Sequence, residues 1–101
     1  MSINEWSDAT AMAEAVRNKT VSPRELVEAT IREAERTNPK INAIVSQRYE
    51  KAIEEAETRN FSGKPFSGVP IFLKDLGQEQ AGEPSSAGSR LFTSYRAKET
   101  D

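Results

Sequence analysis

Five consecutive apolar residues, Val69-Pro70-Ile71-Phe72-Leu73, stop abruptly at the charged pair Lys74-Asp75. A run of that length without alternation predicts a strand covered on both faces. Pro70 has no N–H to give a ladder, so it belongs at the strand start. Such a strand demands neighbours, at its edges and over its faces. The flanks also constrain it. Ser62-Gly63-Lys64-Pro65-Phe66-Ser67-Gly68 before it is turn-rich, and residues 77–89 after it are rich in Gly, Ser, Ala and Pro. That second stretch holds Gly77, Gly82, Gly88, Ser85, Ser86 and Ser89.

Upstream, the pattern is helical. Ser7 is placed to cap a helix running to about Lys19, with Trp6, Ala9, Ala13 and Val16 sharing one face. Ser22-Pro23-Arg24-Glu25 is a sharper start signal: a Ser cap, proline at the first helical position and Glu at the third. Val27, Ile31 and Ala34 form the stripe of this second helix, and Asn38-Pro39 is predicted to end it. Residues 41–45 read as a short strand or a buried extended link. A third helix is predicted over about 47–59, with Tyr49, Ala52, Ile53 and Ala56 on one side. Its Glu50, Lys51, Glu54, Glu55 and Glu57 read as a solvated face. No internal repeat and no linker between two domains is visible.

Composition excludes several functions. With 14 Lys and Arg against 16 Asp and Glu, the net charge of -2 leaves no basic excess for phosphates or acidic membranes. Direct nucleic-acid and membrane partners are therefore not expected. The absence of Cys and His removes disulfides, thiolate chemistry, the commonest general base and the commonest metal ligand. No metal site and no cofactor is predicted. Nor do residues 77–89 contain a phosphate-cradling glycine motif. The first twenty residues lack an apolar core for a signal peptide, and no apolar run reaches membrane-spanning length. The expected location is cytoplasmic.

One residue remains with clear chemical potential. Ligands of open α/β sheets bind at the carboxyl ends of strands, where Lys74 would lie. A partly desolvated lysine loses its proton more easily and can then serve as a base toward a serine hydroxyl. The competing reading is plain: a charge often ends an apolar run where the chain meets water, and Asp75 could pair with Lys74 there. Position alone leaves both open.

The stretch Gly68-Val69-Pro70-Ile71-Phe72-Leu73-Lys74-Asp75 resembles a recurring segment of the amidase signature family. So does Gly82-Glu83-Pro84-Ser85-Ser86-Ala87-Gly88-Ser89, about seven residues later. Upstream, Val21-Ser22-Pro23-Arg24-Glu25-Leu26-Val27, then Asn38-Pro39-Lys40-Ile41-Asn42-Ala43, then an Ala/Glu-rich helix follow the usual beginning of these enzymes. The resemblance implies a Ser–Ser–Lys triad that hydrolyses amide bonds, with the lysine at Lys74. It works through a bridging serine to activate a nucleophilic serine, and backbone N–H groups hold the oxyanion. Asp75, Gly88 and Ser89 would support the site. Neither serine of the triad has a counterpart here, since Ser85, Ser86 and Ser89 lie outside the family's nucleophile context.

The resemblance thus implies an α/β fragment: a mostly helical layer plus one or two strands of a mixed-sheet α/β/α amidase fold. Residues 1–101 would be the amino-terminal part of a single amidase domain, with a small-molecule amide as the substrate of the full-length enzyme. Two alternatives stand beside it: a non-catalytic helical interaction module, and the amino-terminal part of a tRNA-dependent amidotransferase A-type subunit. Alone, the chain is expected to be inactive, and either to self-associate through its exposed strand or to lose order past about Gly77.

Overall fold

The computed structural model describes residues 7–101, so Trp6 of the first predicted stripe lies outside the described residues. The chain divides into two compact units, Met1–Pro70 and Ile71–Asp101.

In the first unit, helix α1 spans Ala9–Arg17. Its cap is Asp8 rather than Ser7: the Asp8 carboxylate accepts from the Ala11 N–H at 2.8 Å. Asp8 has the extended backbone of a cap residue, and its short carboxylate reaches the third residue on. Ala13 and Ala15 are buried. Helix α2, Pro23–Ile41, begins with the predicted reciprocal cap. The Glu25 N–H donates to Ser22 Oγ at 3.1 Å, and the Ser22 N–H donates to the Glu25 carboxylate at 3.2 Å.

The end of α2 departs from expectation, because the helix runs through Pro39 to Ile41. A proline in the last turn removes one intrahelical bond. Asn38 provides bonds beyond it: its side chain accepts from the Ile44 N–H at 2.8 Å and donates to the Ile44 carbonyl at 3.3 Å. Asn42 then takes the left-handed conformation common at helix ends, φ 50°. Residues 41–45 are consequently neither strand nor buried link, with Ile41 and Val45 both well exposed.

Helix α3, Tyr49–Thr58, lies close to its predicted range and packs against α2. Leu26, Val27 and Ala34 of α2 are the buried side chains of this pair. Arg24 on α2 reaches Glu28 and, on α3, Glu57. Such exposed pairs contribute little beside the apolar burial. The following loop is tied to α1 by Arg17, whose guanidinium donates to the Pro65 carbonyl at 3.3 Å. Gly68 is buried there at φ 80°, and a Cβ on it would lie 2.8 Å from Pro23 Cγ. Only glycine satisfies both the dihedral and the space.

The expected strand over residues 69–73 does not form, and no strand occurs among the described residues. A strand exists through its hydrogen-bonded neighbour, and none pairs with this run. Ile71, Phe72 and Leu73 are exposed instead. The helical part of the predicted architecture is present and the sheet part is not. In the second unit the one bridge is an isolated antiparallel pair, Pro84 with Arg96. Around it the Gly82 N–H donates to the Ala97 carbonyl at 2.8 Å, and the Ala97 N–H to the Glu83 carbonyl at 3.0 Å. Glu79 and Asp101 exchange two further bonds, and the Ala81 N–H donates to Thr100 Oγ1. Ala97 is the buried apolar residue of this unit.

Candidate functional site

All four residues singled out from the sequence, Lys74, Asp75, Gly88 and Ser89, fall in the second unit. Lys74 is exposed, so the partial burial expected at a covered strand end is absent from this chain. The reason is the missing ladder: without neighbouring strands nothing closes over the end of the apolar run. The Lys74 N–H donates to the Gln78 side-chain carbonyl at 3.0 Å.

Asp75 does not pair with Lys74. Its carboxylate turns to residues 86–88 and accepts from the Ser86 N–H at 2.7 Å, from the Ser86 hydroxyl, and from the Gly88 N–H at 3.3 Å. These donors favour the charged form. The Ser86 hydroxyl, followed by the Ser86 N–H, holds the Asp75 carboxyl below its usual range; partial desolvation opposes this, and the Gly88 and Ala87 N–H groups add to it.

The segment that Asp75 grips is a tight turn. The Ser89 N–H donates to the Ser86 carbonyl at 2.9 Å, and the two central residues, Ala87 and Gly88, have φ of 52° and 71°. Two consecutive left-handed residues mark a mirror-image turn, favourable for Gly and costly for Ala. Ser89 then caps the 3-10 helix Arg90–Phe92 by accepting from the Leu91 N–H at 3.2 Å. The structure therefore brings Asp75, Gly88 and Ser89 into one bonded cluster, with Lys74 adjoining it in the chain.

Two members of that cluster, Ser86 and Gln78, carry no individual mark in the sequence. Ser86 is one of several serines in a Gly/Ser stretch, and no spacing rule marks a side chain that bonds eleven residues back. A second polar cluster lies nearby: the Tyr95 hydroxyl donates to the Glu79 carboxylate, at 3.2 Å to Oε2. Partial desolvation, aided by Glu79, raises the Tyr95 phenol above its ordinary range.

In the first unit an open groove of about 400 Å³ is lined by Ala34, Asn38, Ile44 and Tyr49, among others, and includes none of the predicted site residues. Among the described residues no group of three or more Asp or Glu side chains is disposed to hold a metal ion. No helix among them is long and apolar enough to cross a membrane.

Lys74 thus carries an exposed amine on a backbone held by Gln78 on one side and by the Asp75 cluster on the other. Similarity to known proteins gives the family. The family model for amidases matches residues 25–101, and the chain belongs to the amidase family. It is 44% identical over 94 residues to a 6-aminohexanoate-cyclic-dimer hydrolase from Paenarthrobacter ureafaciens, covering 91% of this chain and 18% of that protein. A structure of 6-aminohexanoate cyclic dimer hydrolase complexed with substrate superposes with a TM-score of 0.85 at 39% identity, over 97% of this chain and 20% of that one. The A-type subunit of a glutamyl-tRNA(Gln) amidotransferase from Oleidesulfovibrio alaskensis is 33% identical over 90 residues, covering 85% of this chain and 18% of that protein. The chain thus spans about a fifth of the length of these relatives.

Proposed function

We propose that these residues are the lysine-bearing part of an amide-bond hydrolase with a Ser–Ser–Lys triad, in which Lys74 is the base and both serines come from outside residues 1–101. The observation that carries this is the setting of Lys74. Its backbone N–H is held by Gln78, and the next residue is bonded to the Gly/Ser turn. Its own side chain stays exposed. In the assembled site the neutral amine would take a proton, through the bridging serine, from the attacking hydroxyl. The released proton would then go to the leaving amine, and water would free the acyl group. Small-molecule amides are the substrate class, by similarity to the cyclic-dimer hydrolase.

The hydrolase reading is favoured over the amidotransferase reading by the higher identity, 44% against 33%. The test is a hybrid enzyme in which this chain replaces the matching fifth of the cyclic-dimer hydrolase. Turnover of the cyclic dimer is expected, and Lys74→Ala should lower kcat by about 10²- to 10⁴-fold, the range that positioned bases contribute. Retention of parental kcat by Lys74→Ala would overturn the assignment. Residues 1–101 alone should hydrolyse no amide above background.

A further inference from the structure

We infer that Ser86 is a positioning residue for Lys74, acting through Asp75. This rests on the reading of Lys74 as the base. The chain of contacts is short. Ser86 gives two of the three bonds that Asp75 accepts, one from its N–H and one from its hydroxyl. Gly88 gives the third. Asp75 follows Lys74 directly, so fixing the Asp75 carboxylate fixes the peptide that joins them. Gln78 holds the preceding peptide, which joins Leu73 to Lys74, through the Lys74 N–H.

The arrangement resolves what would otherwise be a conflict. A carboxylate next to a lysine in sequence is poised to pair with it, which would hold the amine in its charged form. Here the carboxylate is occupied by three uncharged donors from residues 86 and 88. Asp75 therefore serves as a mechanical tie, with the Lys74 side chain left exposed. The turn it grips is itself sharply specified, because Ala87 holds a left-handed backbone at φ 52° that a non-glycine residue adopts only when its surroundings impose it. The Asp75 bonds supply that constraint. The Ser86 hydroxyl is the one side-chain donor among the three, so it is the part of the tie that a substitution can remove with the backbone donors left in place.

Two measurements test this. In the hybrid enzyme, backbone ¹⁵N relaxation should show Lys74 and Asp75 as rigid as α2, with slow hydrogen exchange at the Ser86 and Gly88 amides. Ser86→Ala should loosen Lys74 and Asp75 while the α2 amides stay unchanged, and Ser86→Thr, which keeps the hydroxyl, should restore them. Unchanged relaxation at Lys74 in Ser86→Ala, or unprotected Ser86 and Gly88 amides in the parent, would overturn the tie. In the hybrid enzyme, Ser86→Ala should lower kcat about ten-fold at unchanged KM and unchanged melting temperature, since small displacements of a catalytic group are costly. Ser86→Thr should recover most of that loss. If Lys74→Ala abolishes turnover but Ser86→Ala matches the parent, the positioning role fails and the base assignment survives. If Lys74→Ala is harmless, the base assignment itself fails, whatever relaxation shows.

Discussion

The two units of this chain are held together by different physics. Residues 7–70 follow helical rules: caps at Asp8 and Ser22, and a small apolar core of Ala13, Ala15, Leu26, Val27 and Ala34. Residues 71–101 bury a single apolar side chain, Ala97, and depend on polar ties such as Asp75 to Ser86 and Glu79 to Asp101. Ile71, Phe72, Leu73, Leu76 and Leu91 remain exposed. Apolar burial is non-directional and tolerates small shifts, whereas a carboxylate that accepts three bonds fixes one geometry. The region that carries Lys74, the proposed base, is the one built on directional bonds.

This contrast can be broken at its apolar side first. Leu26 is 3% exposed, and Leu26→Ala should cost about 2–5 kcal/mol, read as a lower urea midpoint by circular dichroism. A loss below about 1 kcal/mol would mean that α2 and α3 are not held by this core. A smaller effect is expected at the loop behind α2. Gly68→Ala places a Cβ 2.8 Å from Pro23 Cγ at φ 80°, and should cost about 2 kcal/mol in the same assay.

The polar side is tested by acid. The folded-state carboxyl of Asp75 titrates below its usual value of 3.8, chiefly because the Ser86 hydroxyl bonds its charged form. A depressed carboxyl contributes stability that is complete above the unfolded value and is lost as pH falls through the folded one. Loss of protection at the Ser86 and Gly88 amides, measured against the unstructured exchange rate at the same pH, should therefore appear only below pH 3.8. Asp75→Asn should show it at neutral pH. Loss of protection in the parent above pH 3.8 would contradict the tie.

The same contrast explains what could be read in advance. Helices were legible because caps and periodic apolar residues act over three or four positions, so Ser22-Pro23-Arg24-Glu25 and the Val27, Ile31, Ala34 stripe located α2 closely. Its end was not, because the Asn38 to Ile44 bonds that carry the chain past Pro39 have no local signature. Residues 69–73 carry a strand's apolar pattern and form no ladder, since a strand needs a partner that the pattern alone does not provide. At the site, Lys74, Asp75, Gly88 and Ser89 were marked by resemblance to the amidase signature family. The bonds joining Asp75 to Ser86 span eleven residues and became visible only in three dimensions.

The central claim is that Lys74 acts as a base, which requires an amine able to lose its proton. Lys74→Arg keeps a positive charge at the position but substitutes a guanidinium that stays protonated. In the hybrid enzyme its kcat should fall as far as that of Lys74→Ala, about 10²-fold or more. If Lys74→Arg keeps most of the parental kcat, the residue contributes charge alone and the assignment of Lys74 as the base is wrong.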